Sequence, residues 1–227
     1  MTNNTNKISL CSAALIAGLA ILIMAIAAPF AELYAFPKFV VPGKVAEVAK
    51  NILANEGLFR ACIFSYLLTF VCDLIAAWAL YVLLKPVNED LSLLTALFRL
   101  VYAVIALVAT VNLVSILRLL HGSDFESEQL HTQIMLSLDA FRSGWYFGIS
   151  FFGIHLVLLG FLVFKSGYIP RILGVLLIIA GLGYLINSLK PFLFPNINVD
   201  FAKFTFYGEL IFMLWLLIKG WRIKESN

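Results

Sequence analysis

Residues 70–78 read FVCDLIAAW, an aspartate set in the middle of an apolar run that extends from Ala61 to Leu84. A run of roughly 18 or more apolar residues is long enough to cross a hydrocarbon core of about 30 Å as a helix. Asp73 therefore has to be turned away from lipid, toward other helices. Five further runs of this kind flank it: Ile8–Phe30, Leu91–Leu117, Gly144–Phe164, Ile172–Leu189 and Ala202–Ile218. The expected fold is all-α: a polytopic membrane protein with six transmembrane helices in one bundle, a single domain over residues 1–227.

Composition agrees. The chain is 62% hydrophobic with a mean hydropathy of +0.98, against about 45–50% apolar residues in a soluble domain. The runs leave no room for a separate soluble domain. Backbone groups in lipid must be bonded internally, which favours helices, and the runs lack the alternation of a membrane barrel. Ala25-Ile26-Ala27 imitates a signal-peptide cleavage site. The apolar core before it exceeds the roughly 7–15 residues of such a peptide, so the first run is read as a span. The net charge of +3 is small and the basic residues lie beside helix ends, so membrane lipids are the expected partners and nucleic acid is not. Cys11, Cys62 and Cys72 fall in spans without a CxxC spacing and read as small buried hydrophobes.

Two long loops carry helical stripes. In residues 42–54, Val45, Val48, Ala49, Ile52 and Leu53 share one face, and Pro42 suits a first turn. Ser123-Asp124-Phe125-Glu126 fits a capping box, and Leu130, Ile134, Leu138 and Phe141 follow as a second stripe. Two amphipathic interfacial helices, about 42–54 and 124–142, are expected, with a lid over a cavity as the functional alternative. Even-numbered spans put both termini on one side. Basic residues number seven on that side and eight on the other, so the count alone does not orient the chain. Lys85, Lys165, Arg171 and Lys219 sit tightly against span ends, which favours termini on the cytoplasmic side.

Helical rise places the ionisable residues in depth. Asp73 lies about 18 Å from the surface marked by Lys85, Arg99 about 14 Å from that marked by Asp90, and His155 and Glu209 about 15 Å from Lys165 and Lys219. Four helices thus bring one side chain each near the midplane. Asp73 and Arg99 lie on spans joined by a short turn and are the expected pair, with bidentate geometry available. Glu209 is then a second partner of Arg99 or an acid that keeps its proton. Ser65, Thr69 and Asp73 share a stripe, as do Ser92, Thr95, Arg99 and Tyr102, while Thr205 lies one turn before Glu209. These stripes point to a polar cavity lined by Asp73, Arg99, His155, Glu209, Tyr102 and Thr69. His155 has apolar neighbours and is the weakest member. The competing reading is an ionic layer that only fixes helix register. No metal is expected: His121 and His131 belong to the far loop, and no HxxxH or ExxH spacing occurs. No GxSxG, HExxH or P-loop is present.

Several stretches resemble the bacterial membrane family called domain of unknown function 4386: EGLFR at 56–60, Asp73, ALY at 79–81 with KPVN at 85–88, and FRLV at 98–101. The match continues with His155-Leu156, Leu159-Gly160, SGYIPR at 166–171, Leu173-Gly174 and AGLGY at 180–184. The resemblance implies a multi-span protein of the bacterial cytoplasmic (inner) membrane and supplies no activity, substrate or catalytic assignment. Three functions fit: a bundle that binds or transports a small amphiphile or ion, a structural or assembly subunit, and an intramembrane enzyme on a lipid-like substrate with His155 as base. The first is preferred and an enzyme is not. No cofactor is expected, and oligomeric state is open.

Overall fold

The computed structural model describes residues 8–40, 44–122, 128–193, 196 and 206–223. Helix α1 (Leu10–Pro29) starts on Ser9, whose hydroxyl accepts the Ser12 N–H at 3.1 Å. Pro29 brings no N–H to the ladder, and the chain continues as a π-helical turn, Phe30–Ala35, and a 3₁₀ turn, Phe36–Lys38. Helix α2 is Val45–Ala54 and α3 is Glu56–Leu84. Helix α4 (Glu89–Gly122) is capped by Asn88, whose Oδ1 accepts the Leu91 N–H at 2.8 Å. Helix α5 is Glu128–Lys165, α6 is Arg171–Leu193, and α7 is Tyr207–Lys219, followed by a 3₁₀ turn at Gly220–Arg222.

The long helices form a ring. Helix α1 packs on α3, α3 on α4, α4 on α5, α5 on α6, α6 on α7, and α7 closes against α1. Short turns make successive neighbours antiparallel. In the α5–α6 turn, Gly167 takes φ +74°, a conformation that favours glycine. Tyr168 there donates to the Leu83 carbonyl at 2.6 Å, tying the turn to the end of α3. Among the described residues, five helical segments are long and apolar enough to cross a membrane: Leu10–Lys38, Glu56–Leu84, Glu89–Gly122, Glu128–Lys165 and Arg171–Leu193. Large apolar side chains such as Ile26, Phe64, Trp78, Val108 and Ile172 lie on their outer faces. This is the architecture of an integral membrane protein.

Three expectations change. The first span does not stop at Phe30 but runs on through the π turn to Lys38, which places Glu32 in the helical segment rather than in a loop. The loop helix expected at 124–142 and the span expected at 144–164 are one continuous helix, α5. Leu130, Ile134, Leu138 and Phe141 are buried as the stripe requires, and the same face carries on through Gly148, Phe152, His155 and Leu159 without a change of phase. Gly144, the expected break, packs where an added Cβ would stand 2.7 Å from the Ala109 side chain. The sixth span, expected at 202–218, is described only as the 13-residue α7. In α2, Val48, Ala49 and Ile52 are buried, packed on α5 and α3. Pro42, Thr205 and the capping box at Ser123–Glu126 lie outside the described residues.

Candidate functional site

Arg99 projects from α4 into the centre of the ring and is 1% exposed. Its Nε donates to Asp73 Oδ1 at 2.9 Å, and its Nη2 lies 2.8 Å from the same oxygen. Nη1 donates to His155 Nε2 at 3.1 Å, and Nη2 reaches Met24 Sδ at 3.6 Å. Glu209 Oε1 stands 4.0 Å from Nη2. The guanidinium carbon lies 5.3 Å from the centre of the Phe152 ring, a cation–aromatic distance. Helices α1, α3, α5 and α7 thus each bring a side chain to one cation on α4, and the four ionisable residues placed at one depth by helical rise do meet.

The pairing is not the two-oxygen fork expected. Both Arg99 donors converge on Oδ1, and Asp73 Oδ2, fully buried, has no hydrogen-bond partner among the described residues. His155 takes Nη1, and Met24 and Glu209 share Nη2 with Asp73, so the carboxylate meets the guanidinium only on its Nε–Nη2 side.

His155 is a full member of the centre, although its apolar neighbours make it the weakest candidate in sequence. It is 0% exposed. Its Nδ1 lies 2.8 Å from the Thr95 carbonyl, which can only accept, and its Nε2 faces an Arg99 N–H, which can only donate. The ring is therefore neutral with the proton on Nδ1. Both nitrogens are occupied, which leaves His155 no site for a second proton while these bonds persist.

Tyr102 and Thr69 flank the centre without touching Arg99 in any hydrogen bond. The Tyr102 ring packs on Phe152 at 4.9 Å. Thr69 donates to the Ser65 carbonyl at 2.9 Å. Ser65, Ser92 and Thr95 likewise give their hydroxyl protons to the carbonyls of Ala61, Tyr81 and Leu91. The serine and threonine hydroxyls of the stripes that suggest a wet cavity are thus satisfied by backbone. A void beside His155, bounded by Ala77, Leu80, Thr95 and Leu159, holds about 170 Å³ of interstitial space and admits no water-sized sphere.

Arg60 pairs with Glu56 at 2.6 Å, and His121 Nε2 approaches the other Glu56 oxygen at 3.1 Å. Among the described residues, no three His, Cys, Asp or Glu side chains are placed to hold a metal ion. Cys62 and Cys72 are buried and Cys11 is partly so, all three free. The structure adds one ionisable residue that the sequence reading passes over. Glu32, inside the π turn, accepts a 2.6 Å hydrogen bond from the Tyr66 hydroxyl. Its apolar neighbours on both sides, FA and LYA, are the available signal, masked when the first span is ended at Phe30.

A family model described as Domain of unknown function (DUF4386) matches residues 16–220, a stretch that includes Glu209 as well as Asp73, Arg99 and His155. The chain is also similar to an uncharacterized protein of Archaeoglobus fulgidus, at 41% identity over 158 residues, 70% of this chain and 83% of that one. No solved structure matches it.

Proposed function

The chain belongs to the DUF4386 family, and from that premise we propose that it is a six-span protein of the cytoplasmic membrane that binds or transports an ion or small amphiphile at the Arg99 centre. Helix α7 is the sixth span in this reading. Helix α2 and the first turns of α5 lie at the membrane surface, and both termini face the cytoplasm. The contacts of Lys85, Lys165 and Arg171 with the rings of Tyr81, Phe161 and Phe164, at 5.6, 5.2 and 5.7 Å, support an interfacial belt on the terminal side.

The observation that carries the proposal is the charge inventory. One permanent cation, Arg99, faces two acids, Asp73 and Glu209. Asp73 neutralises Arg99. An ionised Glu209 leaves the layer with an excess negative charge, costing at least about 2.5–3.5 kcal/mol at the centre of a bilayer. A proton or a cationic ligand removes that cost, so the centre exchanges one positive charge. Glu209 is its group of exchange, since both His155 nitrogens are engaged and Glu209 has the more exposed side chain, 15% against 1% for Asp73. Proteoliposomes loaded with a pH-sensitive dye test this. Uptake of protons, monovalent cations or organic amines that is lost in Glu209→Gln is expected; a variant equal to wild type for each of them contradicts the proposal.

A scaffold role is the second reading, favoured by the satisfied hydroxyls and by the narrow void beside His155. A triple variant, Asp73→Leu, Arg99→Met and Glu209→Leu, that folds and supports its host as well as wild type decides for it.

A further inference from the structure

Glu32 lies in an otherwise apolar stretch of the first span, half-buried, where Pro29 has opened the helix into a π turn. Two helices place it independently. Met24, which touches Arg99, is eight residues before Glu32, a displacement of about 12 Å along the first span. Asp73, which also touches Arg99, is seven residues after Tyr66, about 10 Å along α3. The helices run antiparallel, so both displacements point the same way, toward the face opposite the termini. With the Arg99 layer near the midplane, the Glu32–Tyr66 pair sits just inside the edge of a hydrocarbon core about 30 Å thick.

The pair is shaped on all sides. Tyr66 is 0% exposed, with Trp145 and Phe141 against its ring at 5.2 and 5.5 Å. Its hydroxyl has Glu32 as partner at 2.6 Å. Among the described residues, the ionisable groups that face Glu32 are Tyr66 and Cys62 from α3 and the exposed Arg142 from α5. Cys62 points its thiol at the Ala31 carbonyl, 3.7 Å away, in the same π turn. From Tyr66 inward, Thr69 and Asp73 follow on one face of α3 at rises of about 5 and 6 Å, both nearly inaccessible. Thr69 spends its proton on Ser65, and its oxygen keeps lone pairs for a second bond. At the inner end waits Asp73 Oδ2, buried and without a partner among the described residues.

We propose that Glu32 and Tyr66 form a second proton-binding station, which takes protons from the face opposite the termini and hands them along the Tyr66–Thr69–Asp73 face to the Arg99 centre. A proton that enters on the Glu32 carboxyl passes to the Tyr66 oxygen as Tyr66 gives its own hydroxyl proton to Thr69 Oγ1, and Thr69 releases its proton from the Ser65 carbonyl to Asp73 Oδ2; both hydroxyls are regenerated, and Asp73 receives one proton per turn. The inference rests on the Arg99 centre exchanging a positive charge, and its first test does not. Infrared difference spectra of the purified full-length protein between acidic and alkaline buffer read protonated carboxyl groups directly. Wild type is expected to lose a carboxylic acid band that is missing from Glu32→Gln and shifted in frequency in Tyr66→Phe, which keeps the ring and its aromatic contacts. A Glu32→Gln spectrum identical to wild type overturns the station. In proteoliposomes under an imposed pH gradient, Tyr66→Phe is expected to slow proton uptake on the order of 100-fold, the loss typical of removing a proton-transferring group. Unchanged uptake overturns the relay. If wild type moves no protons, the relay is overturned, the Arg99 centre stands or falls on its uptake of cations and amines, and the infrared band alone decides whether Glu32 binds a proton.

Discussion

Helix α5 is held on its two sides by opposite means. Toward α6 its contact centres on a seam of glycines, with one hydroxyl pair, Ser150 and Ser188 at 3.0 Å, beside it: a Cβ added to Gly160 would stand 2.6 Å from the Gly174 carbonyl oxygen, and one added to Gly181 would meet the Gly153 oxygen at 2.6 Å. Toward α4 it offers His155, which bridges Thr95 and Arg99. The glycine seam works by the absence of side chains, gains its energy from close dispersion contact, and is chemically silent. The Arg99 side works by presence, with every donor placed, and is the part of the bundle that can carry charge. A membrane bundle needs the first to be tight so that the second can be polar, because helices without a hydrophobic drive between them must pack closely to hold ionised groups away from lipid.

The contrast between the two sides is most vulnerable at Arg99. Arg99→Met leaves Asp73 buried without its cation and is expected to lower unfolding stability in detergent by about 3–5 kcal/mol. His155→Phe removes the acceptor of Nη1 and the donor to Thr95, and a loss of about 1–3 kcal/mol is expected from the orphaned groups. On the silent side, Gly160→Ala puts a methyl group against the Gly174 backbone and is expected to cost about 1–3 kcal/mol by overpacking. Gly57→Ala is its control: a Cβ there meets nothing within 4 Å, so up to about 1 kcal/mol of stabilisation is expected. Equal effects at the two glycines would mean that the seam contributes nothing.

A smaller change is expected outside the spans. Burial pushes the Tyr168 hydroxyl up from 10.0 to about 12, and it donates to the Leu83 carbonyl. A folded value above the unfolded one means that this contribution is whole below pH 10 and is lost as pH rises toward 12. Tyr168→Phe is expected to cost about 1 kcal/mol at neutral pH and to remove this component of alkaline destabilisation. Thermal unfolding followed from about pH 8 to 12, with both proteins compared at each pH, reads both.

Much of the centre is legible in sequence because charge in an apolar run is rare and helical rise converts sequence distance into depth. Asp73, Arg99, His155 and Glu209 fall at one height by their distances to flanking charges, and they meet. How they meet is not legible. The carboxylate meets the Nε–Nη2 side with one oxygen while Met24 shares Nη2 and His155 takes Nη1, and Met24 gives no signal in sequence. His155 is easily undervalued because its partners, a backbone carbonyl and an arginine on another helix, leave no trace beside it. Glu32 is hidden by a span boundary at Phe30, since a π turn after proline looks like a helix end when read residue by residue. The break expected before Gly144 is absent for the converse reason: the polar residues Asp139, Arg142 and Ser143 lie on the exposed face of α5 while the buried face continues beneath them.

Arg99 and Asp73 hold each other at the heart of the ring, and on that contact the rest of the bundle's chemistry depends. A double-mutant cycle reads it without intermediaries. Unfolding free energies are compared for wild type, Arg99→Met, Asp73→Leu and the double variant. Each single change is expected to be strongly destabilising, and the double variant to be at least as stable as either, a large non-additive coupling. Losses that simply add would mean that the two residues do not meet.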